Sequence, residues 1–314
     1  RMKNYLWLFI LLGFSLVPIL KEKEIFLTFD DGPISPYTME IAKTLEENQA
    51  RGTFFLVGEK VVYYGKFTKE LAQKGHTIGN HSFSHESLAK KNIKEGIEDI
   101  IRAEIVLAEK IGYFTRIYRP PGGRISKEIE KALDSLGFKA VFWDINTLDF
   151  EGRSRFSLIS QILLLGWDKS IVLMHSCPST VKALPTLLKL LRLFNFKVKA
   201  LPKEELEGKL PNHKSVSITP NQAMLLKTIG MSDFIRNGTF LLESAVSYLR
   251  NYEKFKVSLS TIRSLERKAH EPEEKAFWEK ERMRTKLYIK QSILRRKLLE
   301  KLIANILSLP EKAY

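Results

Sequence analysis

The chain has 314 residues, 44 % of them hydrophobic, and a formal net charge of +15. That length and apolar content support a sizeable core and exclude global disorder. The charge favours an anionic partner such as a membrane surface, an acidic envelope polymer or nucleic acid, and the single cysteine, Cys177, excludes an intrachain disulfide.

In chain order, Arg1 and Lys3 precede an uncharged apolar stretch, residues 5–20. Its length falls between a signal-peptide core and a full membrane span. Residues 1–21 are therefore expected to be a signal peptide or signal-anchor, and the protein to be exported. From residue 24 onward short apolar runs alternate with amphipathic ones. Strands are expected at 24–30, 52–57, 76–79, 116–119, 138–144, 170–175 and 196–201, and helices at 36–48, 67–74, 92–111, 126–136, 155–165 and 181–194. Ser35-Pro36 and Ser126 read as helix starts, and Gly75, Gly112 and Gly137 as helix stops. Seven strands alternating with helices predict a parallel α/β sheet, open or closed into a barrel. The runs "GTFFLV" and "SIVLMH" are apolar on both faces, as a sheet covered on both sides requires.

Residues 22–208 are read as one domain and 209–221 as a linker. Residues 222–314 follow as an all-helical, basic extension. Over 211–314 there are 20 Lys and Arg against 11 Asp and Glu, and 282–301 carries eight basic residues and one acid, Glu300. Leu287, Leu294, Leu298 and Leu302 recur at helical spacing there.

Each polar cluster of the first 200 residues lies at the end of an expected strand, the edge where barrel-like α/β folds build active sites. Asp30-Asp31 end the first strand. His81 and His85 follow the third, Arg119 and "PPGG" the fourth, "WDINTLDF" the fifth and "LMHSCPST" the sixth. The four-residue spacing of His81 and His85 in a helical turn would aim both imidazoles one way, as a metal site needs. Two histidines and a carboxylate leave open positions for water and a substrate oxygen. One aspartate of the pair is then neutralised by a cation, and the other is free to act as a base. Cys177 reads as a small buried residue and His76 as a strand residue, and His213 and His270 lie outside every cluster.

"TFDDGP", "HSFSH", "RPPGG", "WDINTLDF" and "LMHSCPST" resemble, in order and interval, the five motifs of the polysaccharide deacetylases, carbohydrate esterases built on the NodB homology domain. The resemblance covers about 24–202. It implies a distorted (β/α) barrel of seven strands and a bacterial envelope enzyme dependent on a divalent metal, most often zinc. Residue by residue, it implies Asp31, His81 and His85 as metal ligands and Asp30 as the general base for the attacking water. His175 would be the general acid for the departing amine. Arg119 would orient Asp30, Asp149 would hold His175, the Gly122 N–H would face the oxyanion, and Phe150 would wall the sugar site. This chain departs from the family where Ser176 replaces a common aspartate, Gly122 an aromatic residue and Phe150 a tryptophan.

The expected function is removal of N-acetyl groups from an envelope polysaccharide, with peptidoglycan N-acetylglucosamine as the first substrate. Exopolysaccharide, chitin oligomers and lipid-linked sugars are the alternatives. A catalytically inactive barrel that binds glycan or membrane is the competing class. The basic C-terminal helices are expected to touch an anionic membrane or envelope polymer. Nucleic acid is not an expected partner, because no recognition motif accompanies the charge.

Overall fold

The computed structural model describes residues 22–250 and 255–310. The apolar stretch 5–20 lies outside them. Among the described residues no helix is long and apolar enough to cross a membrane.

Strand β1 (Lys23–Gly32) is the centre of a parallel sheet. On one side it is followed by β2 (Thr53–Leu56), β3 (Thr77–Asn80), β4 (Ile117–Tyr118) and β5 (Lys139–Ala140). On the other side lie β7 (Ser170–His175) and β6 (Ile145–Asn146). Strand β8 (Phe196–Val198) pairs with the first residues of β1. The helices α1 (Tyr37–Glu47), α2 (Gly58–Tyr63), α3 (Gly65–Gln73), α4 (Ile93–Ile111), α5 (Lys127–Ser135), α6 (Arg155–Leu165) and α7 (Pro178–Leu193) connect the strands. Phe29, Phe54, Phe55, Leu27 and Val172 are buried, which accounts for the doubly apolar strands. Helix α4 opens on a capping box between Asn92 and Glu95 and ends at Gly112, whose φ of +90° few other residues adopt without strain. Ser126 caps α5 by accepting from Ile129 N–H.

Of the expected strand 138–144 only Lys139–Ala140 forms one, β5, and the next strand, β6, starts beyond it at Ile145. Strands β5 and β6 lie at opposite edges of the sheet, so the barrel is open between them. The carbonyls of Val141 and Phe142, at that opening, accept from the guanidinium of Arg119 instead of from a neighbouring strand. Helix α2 was not expected from the sequence.

The C-terminal region is helical but not wholly so. It contains α8 (Pro220–Thr228), α9 (Leu242–Arg250), α10 (Phe255–Lys268) and the long α11 (Pro272–Leu307). A small antiparallel sheet joins β9 (Val216–Ser217), β10 (Ile235–Arg236) and β11 (Thr239–Phe240). The β10–β11 turn is Asn237-Gly238, both at positive φ, a hairpin signal the all-helical reading passed over. Strand β9 also places order inside the expected linker. Leu298, Leu302, Ile303 and Ile306 of α11 share one apolar cluster with Ile97, Ile100, Leu133 and Phe138 of the barrel. The extension is thus packed onto the barrel, while Arg284, Lys286, Arg295 and Lys297 are exposed.

Candidate active site

The end of β1 delivers two adjacent carboxylates to different partners. Asp30 is buried, and its Oδ1 lies 2.8 Å from Arg119 Nη1. Arg119 itself is fully buried. Its fork also donates to Thr28 Oγ1 at 2.7 Å, and its plane lies 4.2 Å from the ring centre of Phe55. Asp31 takes a left-handed backbone, φ +69°, which turns its side chain toward the histidines. Lys60 Nζ donates to the Asp31 carbonyl at 2.8 Å and braces that turn.

Asp31 Oδ1 lies 3.3 Å from His81 Nε2 and 2.9 Å from His85 Nε2. The two rings are 5.1 Å apart. They do not converge through a helical turn. Residues 81–85 form a loop in which Ser82 and His85 are both left-handed, at φ +63° and +61°. Two non-glycine residues in that conformation store strain that the surroundings must offset. Part of the offset is visible: Ser82 N–H donates to Asn80 Oδ1, and His85 N–H to Ser82 Oγ.

The donor chemistry of this triad fits a cation. His81 Nδ1 lies 2.8 Å from the Arg119 carbonyl, which only accepts, so Nδ1 carries the hydrogen. In the neutral ring Nε2 is then a lone pair facing a carboxylate oxygen at 3.3 Å. Two acceptors so placed repel unless a proton or a metal lies between them. A backbone carbonyl fixing the tautomer of a ligating imidazole is the usual support of a metal site. One atom from each of Asp31, His81 and His85 comes within 4.8 Å of the others. Burial works against the Asp31 carboxylate, but the hydrogen bonds and charges of the two histidines outweigh it and hold its pKa below the ordinary range.

Across the β1–β7 ladder Asp30 is the register partner of His175. His175 Nδ1–H donates to Asp149 Oδ1 at 2.7 Å, leaving Nε2 as the atom available for proton transfer. Asp149 is fully buried and accepts four further hydrogen bonds, from His175 N–H, Phe150 N–H, Thr180 Oγ1 and, more weakly, Cys177 Sγ. Burial opposes the charge on both groups. It is outweighed at Asp149 by His175 and Thr180, which lower its pKa, and at His175 by Asp149, Asp30 and Asp31, which raise it. Asp144, the other acid of the fifth motif, accepts from Ile171 N–H instead.

Phe150 is 58 % exposed and presents an edge-on ring 5.0 Å from that of His175. Gly122 sits at φ +61° in the turn Pro121–Gly123, and a Cβ there would meet nothing within 4 Å, so the space beside it is open. Ser176 Oγ accepts from Thr38 Oγ1 at 2.9 Å, tying the end of β7 to α1. Burial raises the Cys177 thiol pKa, and its Sγ lies 3.6 Å from Asp149 Oδ2. Thr180 and Lys60 were not singled out from the sequence. Thr180 stands inside "LMHSCPST", five residues after His175, where a hydroxyl close in sequence to the expected acid was the available signal, whereas Lys60 carried none.

A protein-family model described as "Polysaccharide deacetylase" matches residues 19–141. The peptidoglycan-N-acetylglucosamine deacetylase of Bacillus cereus is 36 % identical over 157 residues, 50 % of this chain and 57 % of that one. The chitooligosaccharide deacetylase of Azorhizobium caulinodans is 33 % identical over 159 residues, 50 % of this chain and 76 % of that one. Among solved structures, the Bc1960 peptidoglycan N-acetylglucosamine deacetylase superposes with a TM-score of 0.56 at 33 % identity, covering 58 % of this chain and 87 % of that one. The chain thus spans little more than half the length of the Bacillus cereus relative.

Proposed function

The chain belongs to the polysaccharide deacetylase family, and from that premise we propose that it is a metal-dependent hydrolase that removes N-acetyl groups from peptidoglycan N-acetylglucosamine. One observation carries the proposal: the Asp31–His81–His85 triad stands beside an Arg119-held Asp30 and an Asp149-held His175. That is a cation site flanked by one candidate base and one candidate acid.

A divalent ion held by Asp31, His81 and His85, with zinc the proposed species, would polarise the amide carbonyl and lower the pKa of water. Asp30 takes the proton of the attacking water, with Arg119 fixing the carboxylate that receives it. The Gly122 N–H is the proposed donor to the oxyanion. As the C–N bond breaks, His175 Nε2 gives its proton to the departing sugar nitrogen, and acetate and a free amine result. Asp149 holds His175 in the tautomer that this step needs and favours the imidazolium. Phe150, exposed beside His175, is proposed to wall the sugar site.

The relatives named for peptidoglycan and for chitooligosaccharide favour an N-acetylated glycan. Digesting treated peptidoglycan and asking which sugar has lost its acetyl group tests the choice. Glucosamine in place of N-acetylglucosamine supports it. Muramic acid, or a reaction confined to chitin oligomers, overturns it. The same reading has the protein exported by way of residues 5–20, with the outward-facing basic residues of α11 against an anionic membrane or envelope polymer. Reversing two exposed charges, Lys286→Glu and Arg295→Glu, should weaken binding to anionic vesicles or envelope polymer and leave acetate release from small oligosaccharides unchanged.

A further inference from the structure

Glu104 lies in the middle of α4 with no solvent exposure, and the chemistry above does not use it. A fully buried carboxyl group persists only where its oxygens are occupied. Glu104 Oε1 accepts from Thr115 N–H. Its Oε2 accepts from Asn80 Nδ2 at 3.0 Å and from Thr115 Oγ1 at 3.2 Å. Asn80 is the last residue of β3, immediately before His81. Its Nδ2 also donates to the Ile100 carbonyl at 2.9 Å.

Both amide hydrogens of Asn80 therefore face acceptors on α4, and its Oδ1 faces the loop. The reverse orientation would set an oxygen against two acceptors, so chemistry fixes the amide. Asn80 Oδ1 accepts from Ser82 N–H at 2.9 Å, and Ser82 Oγ accepts from His85 N–H at 3.0 Å. A continuous run of hydrogen bonds thus leads from a core carboxyl, through Asn80 and Ser82, to the backbone N–H of His85, whose side chain belongs to the triad. The loop it crosses has no regular secondary structure and two left-handed residues, so its shape depends on such side-chain bonds.

We propose that Glu104 is the positioning residue of the His81–His85 loop: through Asn80 and Ser82 it fixes where His85 stands, and so sets how tightly Asp31, His81 and His85 hold a divalent cation. The inference rests on the reading of that triad as a metal site. Glu104 touches neither cation nor substrate and acts only through its neighbours.

Glu104→Gln keeps the volume but turns one acceptor into an NH₂ that confronts Asn80 Nδ2 or Thr115 N–H. Its affinity for Zn²⁺, measured by competition with a chelator at fixed pH, should fall about 10- to 100-fold, the usual effect of losing an outer partner of a metal ligand. Circular dichroism should show a retained fold. Ile97→Val perturbs the buried face of the same helix without touching the hydrogen-bonded run, and should bind Zn²⁺ as the parent does. Ser82→Ala removes only the last hydroxyl and should weaken binding in the same direction; it decides the matter if Glu104→Gln does not fold. Parent-like Zn²⁺ affinity in folded Glu104→Gln, or in Ser82→Ala when Glu104→Gln fails to fold, overturns the proposal. An equal loss in Ile97→Val also overturns it. A parent protein that binds no divalent ion removes the metal reading and this inference together. Tight binding by parent and Ile97→Val, weak binding by Glu104→Gln, and no acetate release from any of them would leave the inference standing and overturn the deacetylase reading.

Discussion

Asp30 and His175 are register partners on neighbouring parallel strands, and each is tethered by its own buried ion pair, Asp30 to Arg119 and His175 to Asp149. The two tethers hold a carboxylate and an imidazole side by side at the C-terminal ends of the two strands. A base and an acid can then share a site without pairing with each other, which is the separation that acid–base chemistry on one amide requires.

The first expectation separates the adjacent aspartates. Asp31→Ala should lose metal and activity together, since two remaining ligands bind weakly. Asp30→Asn should retain metal and lose turnover by about 10²-fold or more. Elemental analysis and acetate release on the same samples check both. An active Asp30→Asn enzyme would remove the base assignment.

The strand ends were legible because the apolar runs feeding them are long and the clusters fall where each run stops. The loop geometry was not. A four-residue histidine spacing fits a helical turn and a doubly left-handed loop equally well, and Ser82 and His85 carry no glycine to announce the second. The break between β5 and β6 was hidden for a related reason. The carbonyls of Val141 and Phe142 are satisfied by a side chain 22 or more residues earlier, Arg119, so the run 138–144 keeps strand composition while only Lys139–Ala140 pairs as a strand. The packing of α11 into the barrel was legible only as a leucine spacing that named no partner.

Asp149→Asn should move the basic limb of the kcat/KM profile. Asp149 raises the pKa of His175 against the effect of burial, so its removal lowers that pKa, and the acid form is lost at lower pH. The limb should shift downward, with a fall in rate of about 10²-fold or more. An unmoved limb would separate Asp149 from the acid.

Arg119→Met should be destabilising. It leaves Asp30 buried without its charge partner and frees the carbonyls at the sheet opening. The loss is about 3–5 kcal/mol, or on the order of 10 °C in melting temperature for a chain of this size. Thermal denaturation reads it directly. An unchanged transition would mean that Asp30 is supported by other contacts.

Glu104 should give stability a pH signature. Burial pushes its pKa up to about 8, against the hydrogen bonds of Asn80 and Thr115. An unfolded glutamate titrates near ~4.3. Between those values the native state holds a proton that the unfolded state has lost, so this group's contribution to stability falls as pH rises. His76, whose pKa burial lowers to about 4, acts in the opposite sense up to about 6.5. The test is therefore a difference: in metal-free protein, the stability of Glu104→Gln relative to the parent should rise between about pH 5 and pH 8. A constant difference would contradict a buried, titrating Glu104.

Leu302→Ala should cost ~2–5 kcal/mol, because the side chain is fully buried in the cluster that α11 shares with α4 and α5. Circular dichroism and a probe in the barrel should report one common transition at lower temperature. A chain ending at Lys209 should likewise lose the cover of that cluster and be less stable. Two separate transitions would make the extension an independent module.

The most direct measurement is acetate release from N-acetylated peptidoglycan by the full chain, before and after treatment with a chelator, and again after a divalent ion is restored. The account expects release in the first case, its loss in the second and its recovery in the third, with Asp30→Asn inactive throughout. Release that survives complete removal of metal, or no release from the metal-loaded protein, would contradict it.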